Sequence, residues 1–242
     1  MAKAVRLDKF LADAGKGTRS EVKKFIQKGQ VQVNGAPAKK PELKVDPEKD
    51  TVILSGETVG VAPEFVYYLL NKPAGCVSAT EDRNDRTVME YVPSDRKGLF
   101  PVGRLDKEST GLLLLTNNGQ LMDDVLRGSN YHEKEYIVHV NKPITDSVLQ
   151  AMAQGVPILD TITRPCKIRR MGKDCFYITL TQGLNRQIRR MCEYFDYRVT
   201  SLKRIRIMNI ELGSLPVGKW RELTPSEIKT LKNLAQNKGE AE

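Results

Sequence analysis

Apolar residues recur at helical spacing near the start of the chain, at Leu7, Phe10, Leu11 and Ala14, and the run breaks at Gly15 and Gly17. Thr18-Arg19-Ser20-Glu21 then has the pattern of a capping box, in which the Thr oxygen and the Glu carboxylate cover backbone N–H groups of a new helix. Val22, Phe25 and Ile26 give that helix one apolar face, and Gly29 stops it. The alternation in VQVNG predicts a short strand ending in an Asn34-Gly35 turn, and TVILSG at 51–56 predicts another strand. These elements make residues 1–58 a small unit of their own. GETVGVAPE at 56–64 is rich in small and turn-forming residues, which places a linker at 59–64.

From residue 65 to the end at 242 the pattern changes. FVYYLLNKP reads as a buried strand ending at a proline, TEDRNDRT as a loop, and GLLLLT at 111–116 as an apolar run buried on both faces, strand or core helix turn. Residues 144–154 predict a helix starting near Thr145, with Val148, Leu149 and Met152 inward. CFYITLTQG predicts a strand, and Asn185 is the expected cap of a helix carrying Ile188, Met191, Cys192 and Phe195 on one face. Residues 197–212 read as more strand, with Arg204 and Arg206 alternating against Ile205 and Ile207. Thr224-Pro225-Ser226-Glu227 is a second capping box with proline at the first helical position. Strands and helices interleave without a βαβ repeat. That pattern predicts an α+β fold with a mixed, largely antiparallel sheet and flanking helices.

Composition narrows the function. The 242 residues carry 39 Lys and Arg against 30 Asp and Glu, a net charge of +9 that favours a polyanionic partner. No apolar stretch approaches the ~18 residues that span a bilayer, and MAKAVRLDKF is charged where a signal peptide is apolar. A cytoplasmic protein with no membrane partner is expected. The four cysteines and two histidines show no ligand spacing, so no metal is expected, and the cysteines read as buried small hydrophobes. No glycine-rich phosphate or dinucleotide loop is present, so no cofactor is expected either.

Two segments carry candidate chemistry. In GRLDKESTGLLLLTNNG, residues 103–119, a charged loop runs into a buried strand and could hold Asp106 rigidly. The bland alternative is a loop acid paired with Arg104 or Lys107, and Glu108 as a second carboxylate suggests a glycosidase pair only weakly. In QGLNRQIRRMCEYF, residues 182–195, Arg186, Arg189 and Arg190 lie opposite the apolar stripe and could converge on phosphates or a carboxylate. With Arg198, Lys203, Arg204 and Arg206 nearby, this is the most basic part of the chain, which points to RNA over a merely solvated face.

RLDKFLADAG, the TRSEV helix and GQVQVNG together resemble the S4-like RNA-binding module over residues 6 to 56. The resemblance implies that Arg19, Lys23, Lys24 and Lys28 lie on structured RNA. PVGRLDKESTGLLLLTNNG, HEKEYIVHV and GLNRQIRRMCEYF resemble, in order, the catalytic motifs of pseudouridine synthases, in the branch that includes the RsuA, RluB, RluE and RluF types. LNKPAG at 70–75 fits that branch, and HEKEY, NRQIRRMCE, RIMNI and GKWREL are nearest the RluF type.

The resemblance implies an essential aspartate at Asp106, a stacking tyrosine at Tyr136 and a basic partner of the aspartate at Arg189. It implies that Arg104 holds a flipped-out nucleotide and that Ile188 packs on the uracil; the basic character of the two segments adds Arg186, Arg190 and Lys107 as expected RNA contacts. The reaction needs a base extruded from the stack, and stacking on Tyr136 could offset ~1–3 kcal/mol of that cost. It is redox-neutral and uses neither metal nor cofactor. The expected substrate is one or very few uridines in ribosomal RNA, 23S first, and the expected state a monomer. The alternatives are a transfer-RNA pseudouridine synthase and a catalytically silent RNA-binding or ribosome-assembly factor. Asp196 stands where relatives have glycine, which predicts left-handed backbone there.

Overall fold

The computed structural model describes residues 4–47, 49–59, 65–93, 98–126 and 131–236. The chain divides into two compact units, one built mainly on Met1–Val66 and the other on Tyr67–Pro93, Pro101–Leu115 and Gln120–Glu242.

In the first unit, α1 (Leu7–Asp13) and α2 (Arg19–Gln27) pack on short strands. β1 (Val5–Arg6) pairs with β4 (Lys44–Val45), while β2 (Val31–Val33), β3 (Ala36–Pro37), β5 (Val52–Leu54) and β6 (Glu57–Thr58) form a sheet in the order β3-β2-β5-β6. The capping box forms as expected, with the Glu21 amide donating to Thr18 Oγ1 and the Thr18 amide donating to the Glu21 carboxylate. Asn34 and Gly35 both take positive φ, the condition for the tight hairpin turn that their order predicts. The module runs further than the pattern suggested. Glu57 and Thr58 pair with β5, and Val59, expected in the linker, is buried in the core with Leu7, Leu11, Val22 and Ile26. Residues 60–64 of the expected linker lie outside the described residues. Asp8 is buried at the start of α1, where Arg6 donates to it twice, at 3.0 and 2.9 Å.

The second unit is a nine-stranded sheet. Its strands are β7 (Tyr67–Lys72), β8 (Phe100–Val102), β9 (Thr110–Thr116), β10 (Lys134–Val140), β13 (Lys167–Arg170), β14 (Cys175–Leu180), β15 (Val199–Ile207), β16 (Ile210–Glu211) and β17 (Trp220–Glu222). A separate hairpin is made by β11 (Pro157–Ile158) and β12 (Thr161–Ile162). The main path is β13-β14-β10-β15-β9-β7-β17, in which β13 with β14, β14 with β10, β10 with β15 and β7 with β17 pair antiparallel, while β15 and β9 are parallel. The expected α+β class and largely antiparallel sheet are therefore what the chain adopts. The helices are α3 (Gly119–Leu126), α4 (Asp146–Gln154), α5 (Gln187–Tyr194) and α6 (Pro225–Gln236). The pattern gave no signal for α3, β13 or β17.

Two apolar clusters hold this unit. Val138, Phe176 and Ile178 of the sheet pack with Leu149 and Met152 of α4 and Ile188 and Met191 of α5. Leu69, Leu112, Leu114 and Ile207 pack with Leu231 of α6. β9 is the apolar run at 111–116 and is a strand buried along its length. Its glycine has a steric cause, because a Cβ on Gly111 would sit 2.2 Å from the carbonyl oxygen of Arg204 on β15. Asp196 takes φ +59, as its place after the α5 helix predicted.

The capping box of α6 carries a pH dependence. Glu227 accepts from Arg221 at 2.7 and 2.9 Å and from the Thr224 amide at 2.8 Å. These contacts, Arg221 foremost, outweigh burial and hold its carboxyl at about 2, below an ordinary value of 4.5. A depressed folded-state pKa contributes stability above pH ~4.5, lost as pH falls towards ~2. Glu227→Gln is expected to cost on the order of 2 kcal/mol at pH 6 in urea unfolding, a gap that closes between pH ~4.5 and ~2. A gap independent of pH would contradict the assignment.

Candidate active site

The loop between β8 and β9 is fixed from beneath by backbone bonds. Ser78 Oγ accepts from the Leu105 amide and donates to its carbonyl, and the Gly75 amide donates to the Lys107 carbonyl at 2.8 Å. Lys72, at the end of β7, is wholly buried. Its ammonium donates to the carbonyls of Pro73 at 2.9 Å, Lys107 at 3.3 Å and Ser109 at 2.9 Å. All three ammonium protons thus have carbonyl partners, as a buried cation requires. Burial nonetheless pushes its pKa down. Asp106 is carried on this tethered loop.

Opposite lies α5, and Arg189 on it faces the loop. Its Nε donates to Asp106 Oδ2 at 3.3 Å, one terminal nitrogen to Ser109 Oγ at 3.4 Å and the other to the Val199 carbonyl at 3.4 Å. The Arg189 side chain is only 11% exposed and that of Asp106 29%, so water screens this pair less than a surface one. Arg186 is a second cation, 3.7 Å from both Asp106 and Glu108.

Asp106, Glu108, Ser109 and Arg186 line a cleft of about 700 Å³, large enough for a nucleotide, together with Tyr136 from β10 and Ile188 from α5, and Arg189 bears on it through Asp106. Arg104, Lys107, Lys134 and Arg204 line it too. Of the sequence candidates, Asp106, Arg189, Tyr136, Ile188, Arg104 and Arg186 thus come together. Arg104 is exposed there, while Lys107 is engaged by Asp85. Arg19, Lys23, Lys24 and Lys28 belong to the first unit, exposed along α2, with Lys23 3.9 Å from Asp8.

Three expectations are corrected. Asn185 does not cap α5. The residue at that position is Arg186, in left-handed backbone with no side-chain cap, and buried Gln187 instead accepts from the Leu184 amide at 3.0 Å. Nor do three arginines converge, because Arg190 turns back to the backbone and side-chain oxygens of Asn185, while Arg186 and Arg189 face Asp106. Arg204 and Arg206 do not share a basic strand face. Tyr136 pairs with Arg204 but Glu135 with Arg206, so Ile205 is a bulge that throws the two arginines out of phase. Arg206 then pairs with Glu133 and Glu135, both at 2.9 Å, whereas Arg204 is buried.

Two family models match the chain. The RNA pseudouridylate synthase model covers residues 66–194, the part that holds the cleft, and the S4 domain model covers 5–52. The chain belongs to the RNA pseudouridylate synthase family. A dual-specificity RNA pseudouridine synthase, RluF, of Salmonella typhi is 46% identical over 235 residues, covering 96% of this chain and 80% of that one. The ribosomal large subunit pseudouridine synthase B of Bacillus subtilis is 33% identical, covering 96% and 97%. A crystal structure of a pseudouridylate synthase matches with a TM-score of 0.70 and 32% identity, over 94% of this chain and 99% of that one. The chain is accordingly an isomerase that converts uridine to pseudouridine within RNA, and its S4 domain is an RNA-binding domain. Among the described residues no helix is long and apolar enough to cross a membrane.

Residue types alone missed Lys72, Ser109, Gln187 and Lys134, and gave Arg204 only as one of several basic residues pointing to RNA. A usable signal existed for Lys72, a lysine ending a strand that is otherwise apolar and aromatic up to Asn71. Lys72→Met is expected to lower stability by at least ~3 kcal/mol in urea unfolding, because three carbonyls lose their donor. A loss below about 1 kcal/mol would show that the loop is held by other contacts.

Proposed function

We propose that the chain isomerises a uridine, or very few, in ribosomal RNA, and that 23S RNA is the principal substrate. The observation that carries this reading is Asp106, paired with Arg189, on the wall of a nucleotide-sized cleft that also presents Tyr136. The name of one relative supports the choice of RNA, since it is a large-subunit ribosomal enzyme.

In this reading a uridine leaves the RNA stack and enters the cleft. Tyr136 stacks on the base and Ile188 packs against it. Asp106 is the essential carboxylate, and the planar fork of Arg189 aims it while neutralising its charge. Arg104, exposed at the cleft, takes the place of the extruded nucleotide or holds its backbone, with Arg186 beside it. Residues 1–58 serve as the docking module, with the cationic face of α2 laid on RNA. Residues 65–242 are the catalytic domain. The work is cytoplasmic, where ribosomal RNA is processed in a bacterium.

The test uses transcripts that carry 5-tritiated uridine, one set ribosomal and one transfer RNA. Joining C5 of the base to the sugar expels the label. The wild type is expected to release tritium from the large-subunit transcript. Asp106→Asn and Asp106→Ala are expected to release none above background while binding RNA within ~3-fold of the wild type. Substantial release by Asp106→Ala would overturn the role of Asp106, and release from transfer RNA alone would overturn the substrate.

A further inference from the structure

The inner part of the cleft holds two cations that no carboxylate answers. The Ile205 bulge turns Arg204 to the same side as Ile207, three residues on, and both line the cleft with Lys134 and Tyr136 of β10. Arg204 is 3% exposed. Its Nε donates to the Leu112 carbonyl at 2.7 Å, and one terminal nitrogen is buried without a hydrogen-bond partner among the described residues. Lys134 donates to the His132 carbonyl at 3.2 Å. Among the described residues neither forms an ion pair with an acid. Their closeness is felt in the titration of Lys134, which burial first and the Arg204 charge second push down to about 8. Arg206 on the same strand shows the ordinary solution, with two glutamates. A buried donor left open beside a second cation is a site prepared for an incoming acceptor that carries negative charge.

We propose that Arg204 and Lys134 hydrogen-bond the carbonyl oxygens of the flipped uracil and take up the negative charge that the base acquires when its glycosidic bond breaks. This rests on the isomerase reading and adds a charge receptor to it. When C1′–N1 breaks heterolytically, both bonding electrons leave with the base, and the uracilate spreads them over N1, O2 and O4. Bonding C5 to C1′ uses one electron pair of that anion, and loss of the C5 proton to water, with N1 taking a proton from water, then restores the conjugated ring and leaves the neutral isomer. The charge on the oxygens is therefore largest between the two bond changes, and a fixed cation there favours bond cleavage more than substrate binding. A backbone phosphate is the less suitable occupant. Arg204 is almost fully enclosed and its strand neighbour is the stacking Tyr136, whereas exposed Arg104 and Arg186 are placed for phosphates.

The experiment compares the ribosomal transcript that the wild type converts with the same transcript carrying 5-fluorouridine at the target. Fluorine withdraws electrons and stabilises the departing uracilate without help from the protein. Single-turnover loss of the target nucleoside is followed by chromatography of nuclease digests. For Lys134→Met, loss of uridine is expected to slow by ~10²-fold or more, loss of 5-fluorouridine by ~10-fold or less, and the RNA Kd to stay within ~3-fold. Lys134→Arg keeps the charge and is expected to remain within ~10-fold of the wild type on uridine, which separates lost charge from lost packing. Arg204→Lys keeps the charge but loses the fork, and is expected to show the same selective deficit in smaller degree. Equal slowing on both substrates, no slowing, or a loss confined to RNA affinity would overturn the proposal, the last result assigning the pair to a phosphate. Failure of the wild type to convert either RNA would instead overturn the isomerase reading itself.

Discussion

The guanidinium of Arg189 joins two segments that are distant in sequence: the loop between β8 and β9, at Asp106 and Ser109, and the Val199 carbonyl at the start of β15. A planar fork holds its N–H donors in fixed directions and meets all three acceptors in one set geometry, where the rotatable ammonium of a lysine would not fix the carboxylate's direction. Because the side chain is mostly enclosed, its direction is set by α5, which is set in turn by the packing of Ile188, Met191 and Cys192 under the sheet. The orientation of the candidate catalytic carboxylate thus depends on the same apolar stripe that makes α5 a helix. Lys72 completes the arrangement from beneath by tying the carbonyls on either side of Glu108 to the end of β7. One cation therefore fixes the loop backbone and another fixes the loop's acid. Neither fix needs a substrate to be present, so the site is preorganised.

Elements whose information lies in local spacing were legible in the sequence. The capping boxes at Thr18 and Thr224, the Asn34-Gly35 turn, the buried run at 111–116 and the stripe of α5 each follow from neighbours a few residues apart. The order of the charged segments made the family legible as well. Features decided by pairing between strands were not. Nothing in SLKRIRIMNI announces a bulge at Ile205, and a strict period of two puts Arg204 and Arg206 on one face. Their opposite fates, one buried in the cleft and one paired with glutamates, depend on the register with β10. The cap of α5 was missed for a similar reason. Asn185 has the right residue type for a cap, but buried Gln187 reaches back to Leu184 and the Asn185 oxygens serve Arg190 instead.

The distribution of charge separates two kinds of cationic group. On α2 the cations are exposed, where they act through long-range attraction and weaken with salt. Deep in the cleft Arg204 is enclosed and directional. Asp106, Glu108, Asp85, Glu133 and Glu135 neutralise most of the cations in and around the cleft through named ion pairs. The overall excess of +9 therefore says little about the site itself. What distinguishes the cleft is which cations lack an acid, and that could be read only once the strands were paired.

The account rests most heavily on the claim that the Arg189 fork, rather than its charge alone, orients Asp106. Chemical rescue tests it directly. In folded Arg189→Ala, single-turnover tritium release from the ribosomal transcript is predicted to fall ~10²-fold or more, and added guanidinium to restore it saturably by at least ~10-fold, while ammonium at equal ionic strength does not. Rescue by both cations alike, or a variant that needs no rescue, would contradict the account.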